Sequence, residues 1–142
     1  MSKAMDLYSA VMILVTAAGV SLCVKHPVSN TLSEVPTNNA TELEWTKYIA
    51  ESKNGIHQYI CPDQSRVDVL TDEYAYEVEW ANKWKEAPAQ AVLYGMLTNK
   101  KPAIILLMKG KSSDKIYYLR CLAVCGKIGI RLETHNINKE NK

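Results

Sequence analysis

A chain of 142 residues, 47% of them hydrophobic, is enough for one domain of modest size with a single core and too short for two of ordinary size. The net charge is only +2, but it is unevenly placed: residues 41–99 carry five Lys/Arg against ten Asp/Glu (−5), and residues 100–142 carry ten against three (+7). His26, His57 and His135 are too scattered for a catalytic dyad, and Cys121 and Cys125 have no neighbouring His or Cys to complete a zinc set.

The chain opens with MSKAMDLYS, a polar stretch carrying Lys3, followed by AVMILVTAAGVSLC, fourteen residues without a charge. A membrane span needs roughly 20 apolar residues, so this run better suits the apolar part of a signal peptide. Extended from Leu7 to Val24, it becomes a marginal anchor. VSLC is similar to a lipoprotein processing site, except that Leu22 stands where a small residue belongs. Residues 1–24 are therefore read as a signal peptide or membrane anchor of an exported or membrane-tethered protein. The alternative is a buried N-terminal helix in a cytoplasmic one.

Residues 25–40 are rich in Pro, Ser, Thr and Asn and lack a hydrophobic period, the composition of a linker. Thr41 with Glu44 makes a capping-box pattern, which predicts a helix over 42–52 with Leu43, Tyr48, Trp45 and Ile49 toward the core. Asn54-Gly55 ends it, and strands are predicted at 55–61, 66–71 and 74–80. A helical stretch follows between Lys83 and Leu97. The continuous apolar run 103–108 predicts a strand buried on both faces. Ser113 caps a helix over 114–125 with Cys121 and Cys125 in the core and Gly126 at its C-cap, and 129–134 forms a last strand. The order is α-β-β-β-α-β-α-β, an α/β sandwich with a mixed sheet; the domain covers 41–135, and 136–142 is a disordered tail.

Alternation places Val67 and Val69 on one face of their strand and Asp68 on the other; Tyr74, Tyr76, Val78 and Trp80 oppose Glu77 and Glu79 in the same way. A two-residue turn at Asp72-Glu73 pairs residues whose numbers sum to 145, setting Asp68 across from Glu77. Opposed like charges on a sheet cost up to roughly 1 kcal/mol. A hard divalent cation reverses that sign, and Mg²⁺ is held by one or two carboxylates together with substrate phosphate. The other reading is an exposed acidic face. Beyond the hairpin, Lys83, Ala87, Gln90 and Tyr94 fall on one helical face, although Pro88 weakens this for Lys83 by moving the helix start to Ala87. An acidic middle beside a basic C-terminal third suits a metal site next to a polyanion-binding surface, or a solvated dipolar one.

These residues resemble the PD-(D/E)XK nuclease superfamily over about 41–133, most closely over 66–95. The family pattern, a helix Glu, a strand Asp and a strand Glu-x-Lys, corresponds to Glu44 or Glu42 in ELEWTKYI, Asp68 in RVDVLTD and Glu77 in YEVEW. The segment 66–95 is similar to small bacterial and phage members, and Gln90-x-x-x-Tyr94 to the motif of RecB-type nucleases. Val67 replaces the name-giving Pro, a harmless variation, and Glu79 stands where the family lysine belongs. Lys83 is the natural substitute, with Lys85 second.

The resemblance implies a restriction-endonuclease-like fold and a Mg²⁺- or Mn²⁺-dependent nuclease, with DNA as the expected substrate. Asp68 and Glu77 would bind the metal, with Glu79 as a further ligand, and Lys83 would polarise phosphate or water. Glu44 would assist from the first helix, and Gln90, Tyr94 and Lys85 would position substrate. Lys100, Lys101, Lys109 and Lys111 would meet the phosphate backbone. The rival expectation is a non-catalytic member of the fold, exported or tethered, binding nucleic acid or protein.

Overall fold

The structure, a computed structural model, describes residues 33–138. The predicted signal peptide or anchor at 1–24 and linker residues 25–32 lie outside the described residues. Thr41 and Glu44 form the expected reciprocal cap: the Thr41 hydroxyl oxygen accepts the Glu44 N–H at 3.3 Å, and the Glu44 carboxylate accepts the Thr41 N–H at 2.7 Å. This cap starts α1, Glu42–Ser52. Trp45, Thr46, Ile49 and Ala50 are its buried residues. Leu43, expected in the core, is exposed, because the face fixed by Trp45 and Ile49 turns it outward.

The remaining elements are β1 (Ile56–Ile60), β2 (Arg66–Leu70), β3 (Tyr74–Trp80), a 3₁₀ turn (Ala81–Lys83), α2 (Ala87–Thr98), β4 (Lys101–Met108), α3 (Ser112–Ile128) and β5 (Arg131–Asn136). Their order is the one expected. The described residues form an open five-stranded mixed sheet in the order β1-β2-β3-β4-β5. β1, β2 and β3 pair antiparallel, and β3, β4 and β5 pair parallel. No helix among the described residues is long and apolar enough to cross a membrane.

β4 shows why the layers form. Ala103, Ile105 and Leu107 pack with Trp45 and Ile49 of α1 on one face. Ile104 and Leu106 pack with Ala87 and Ala91 of α2 and with Cys121 and Cys125 of α3 on the other. A parallel strand covered on both faces is what a run without polar interruption requires. Both parallel connections advance in the same direction across the sheet, so crossovers of one hand bring α2 and α3 to the same side.

The C-terminal boundaries differ from expectation. α3 starts at Ser112, because the Asp114 carboxylate accepts the Lys111 N–H at 3.1 Å and makes Lys111, not Ser113, the cap. It then runs through Gly126, which has open space around it, and ends at Gly129 with φ +73°. A helical glycine costs about 1 kcal/mol and is tolerated at Gly126, whereas the left-handed position at Gly129 needs glycine. β5 is therefore displaced to Arg131–Asn136. Ile137, assigned to the tail, is buried and donates its N–H to the Met108 carbonyl at 3.1 Å.

Candidate functional site

The β2–β3 ladder pairs Val69 with Tyr76 and Leu70 with Ala75, the register that sums to 145. Across from Asp68 the main-chain ladder gives way. The Val78 N–H donates at 2.9 Å to Asp68 Oδ2, and the Gln58 side-chain amide donates at 2.9 Å to Oδ1. Asp68 is therefore a brace between β1 and β3 and not a residue on an exposed acidic face. The strand changes face at this point. Val69 packs in the α1-side core, while Val67 joins Ala75, Tyr94 and Cys61 on the α2 side. The expectation that Val67 and Val69 share a face fails here. Gln58, opposite Asp68, has a left-handed backbone (φ +53°) that turns both strands together.

Glu77 is 4% exposed and Glu79 5%, so both acids are core residues. The Asp68 and Glu77 carboxyls share a hydrogen bond, as do Glu42 and Glu79. Burial pushes Glu77 up to about 9, helped by the charges of Asp68 and Glu79. Burial likewise raises Glu79, to about 7; the bond to Glu42 adds to the rise, and the Trp80 N–H and Lys83 oppose it. Asp68 is also raised by burial, against the bonds from Val78 and Gln58. At neutral pH Glu77 therefore keeps its proton beside Asp68. Glu77 Oε2 and Glu42 Oε2 are buried without a hydrogen-bond donor among the described residues.

Lys83 closes the 3₁₀ turn after β3, with Pro88 in the first turn of α2 as the sequence implied. Its ammonium is 3.8 Å from Glu79 Oε1 and is itself half exposed. Tyr94 reaches Glu77 from α2, and its hydroxyl donates to Gln90 Oε1 at 3.4 Å. Asp68, Glu77, Tyr94 and Gln90 therefore form one chain of contacts, and Glu79 with Lys83 a neighbouring pair.

Other expected residues do not join them. Glu44 is exposed and occupied by the cap, and it is Glu42 that meets Glu79. Lys85 edges a shallow groove of about 650 Å³ with Trp84, Pro88, Val92, Val124 and Ile128. Lys100 and Lys101 lie at the start of β4, the opposite end from Lys83, bonded to the Asp72 carbonyl and Glu73 carboxylate. Lys109 and Lys111 lie at the Lys83 end, Lys109 stacked 4.1 Å from the Trp80 ring centroid. With Asn82, Ser113 and Tyr117 they line a cavity of about 200 Å³.

Sequence reading missed Gln58. The hairpin closed by the Cys61 N–H and Ser65 carbonyl places it opposite Asp68, a signal available from the register. Its left-handed backbone has no counterpart in the residue type, since glutamine does not favour that region.

As a metal site the residues offer oxygen donors alone, the set hard divalent cations prefer, with one buried acceptor, Glu77 Oε2, left open. Among the described residues no three acidic, histidine or cysteine side chains converge as a ready-made cage. A cation there would have to displace the proton of Glu77. Comparison with protein-family models, with curated proteins and with solved structures finds no match.

Proposed function

We propose that the chain is a metal-dependent nuclease of the PD-(D/E)XK type with a restriction-endonuclease-like fold, hydrolysing phosphodiester bonds in DNA. The observation that carries this reading is the Asp68–Glu77 pair at the break in the β2–β3 ladder, with Glu77 Oε2 buried and without a donor among the described residues. An unmet buried acceptor costs roughly 1–3 kcal/mol, and burial of ionisable carboxyls adds to that cost. A fold that keeps both has a use for them that stability does not supply.

Asp68 and Glu77 would hold Mg²⁺ or Mn²⁺, and Glu79 would be a further ligand. When bound, the cation supplies positive charge against phosphate oxygens and acidifies a water. Lys83, a few residues beyond the usual lysine position, holds a second positive charge beside Glu79 and would stabilise charge on the phosphoryl oxygens. Glu42 takes the helix role expected of Glu44. Gln90 and Tyr94 would orient Glu77 and the substrate backbone, and Lys109 and Lys111 would meet phosphates at the same end of the sheet. An exported or membrane-tethered location through residues 1–24 would fit action on incoming nucleic acid.

A second reading, a non-catalytic nucleic-acid or protein binding module on the same fold, is favoured by one observation: the acids stand in pairs and do not converge. Cleavage of linear and branched DNA by the full chain with Mg²⁺ or Mn²⁺ separates the two. The nuclease reading expects metal-dependent cleavage that Asp68→Ala and Glu77→Ala both abolish. No cleavage of any substrate, with metal affinity equal in wild type and variants, leaves the binding module.

A further inference from the structure

Gln58 sits inside β1 with φ +53°, a region a non-glycine residue occupies at a cost of roughly 1–3 kcal/mol. The other described non-glycine residues with positive φ are Asn54, Gln64 and Asn99, which lie between elements. Gln58 lies in a paired strand, and the ladder resumes on both sides of it, His57 with Val69 and Tyr59 with Val67. Its amide nitrogen is 2.9 Å from Asp68 Oδ1. Oδ2 of the same carboxylate is taken by the Val78 N–H. Both oxygens of Asp68 therefore have a fixed donor, one from each neighbouring strand.

We propose that Gln58 is a positioning residue for Asp68: its strained backbone aims an amide donor that holds the carboxylate in one orientation toward Glu77. This rests on the reading of Asp68 as a metal ligand. A carboxylate ligand keeps its direction when its other lone pairs are engaged by fixed donors, and losing such a partner typically costs 10–100-fold in metal affinity. The alternative is that the turned backbone serves the core alone, by carrying Tyr59 and Val67 to the α2 side.

Two variants of the full chain separate these roles. Gln58→Gly accepts positive φ without strain, so the turn and the packing survive while the amide is lost. Gln58→Glu keeps the shape and replaces the donor with an acceptor facing Asp68. Mn²⁺ affinity by titration calorimetry is expected to fall about tenfold or more in both, with the melting temperature of Gln58→Gly equal to or above that of wild type. In the metal-free protein, three-bond couplings should show one Asp68 χ1 rotamer in wild type and averaging in Gln58→Gly. Wild-type Mn²⁺ affinity in both variants, or a single Asp68 rotamer in Gln58→Gly, overturns the proposal. If wild type itself binds no Mn²⁺, the metal reading fails, and the rotamer comparison alone decides whether Gln58 positions Asp68.

Discussion

Glu42 and Glu44 are two residues apart on α1, which turns their side chains about 200° from each other. Glu44 reaches back to Thr41 and is spent on the cap. Glu42 reaches inward to Glu79 and leaves one oxygen without a donor among the described residues. The capping-box pattern in the sequence already assigned Glu44 a local duty, and that duty is incompatible with pointing at the sheet. On the proposed nuclease reading, Glu42→Gln should therefore lower cleavage about 10–100-fold with little loss of stability, the range for a group that supports a metal ligand. Glu44→Gln should lower the melting temperature and leave cleavage unchanged. Equal activity losses in the two would remove Glu42 from the site. The lysines separate in the same way. On the same reading, Lys83→Ala should reduce kcat by about 10²–10³-fold with metal affinity within a few-fold, the range for loss of one charge-stabilising group. Lys85→Ala, on the groove beside Trp84, should be silent in the same assay.

At the scale of the elements, the hydrophobic pattern carried most of the architecture. The unbroken run of β4 named the buried strand, and its two faces now pack against different helices. Ile104→Ala should cost about 2–5 kcal/mol in denaturant unfolding, the usual range for truncating a fully buried side chain. Ile60→Ala, 60% exposed on the edge strand, should stay within about 0.5 kcal/mol. Comparable costs at the two positions would mean that the sheet order is wrong. The hairpin register was legible because one face is apolar, but the exchange of faces at Val67 was not. It depends on one left-handed glutamine, and alternation has no symbol for such a residue. The end of α3 was misread for a related reason. Gly126 and Gly129 are identical in sequence, and only the backbone turn at Gly129 distinguishes a cap from a tolerated helical glycine.

For the whole molecule, the acid pairs govern how stability responds to pH. Unfolded glutamates titrate near 4.5, whereas in the fold Glu77 is raised to about 9 and Glu79 to about 7. Between the unfolded and folded values the native state binds more protons than the unfolded chain, so stability must fall as pH rises. Their contribution is whole below the unfolded value and is lost as pH passes through about 7 and then 9. Glu133 works in the opposite sense. Bonds from Lys53, Arg131 and Tyr76 hold it below the ordinary range against burial, so its contribution is lost as pH falls into the acid region. The metal-free protein should thus be most stable in mildly acid solution, with a melting temperature that declines steadily toward alkaline pH. On the proposed metal-binding reading, divalent metal should act most strongly where the acids have already lost their protons, because binding must displace them. Melting curves in chelator and in excess Mn²⁺, run across about pH 5 to 9, should therefore diverge as pH rises. Glu77→Gln removes the largest of these titrations while keeping a neutral side chain, so its metal-free curve should flatten and exceed wild type on the alkaline side. A slope unchanged by that substitution would place the proton elsewhere and take the Asp68–Glu77 pair out of the account of both stability and metal binding.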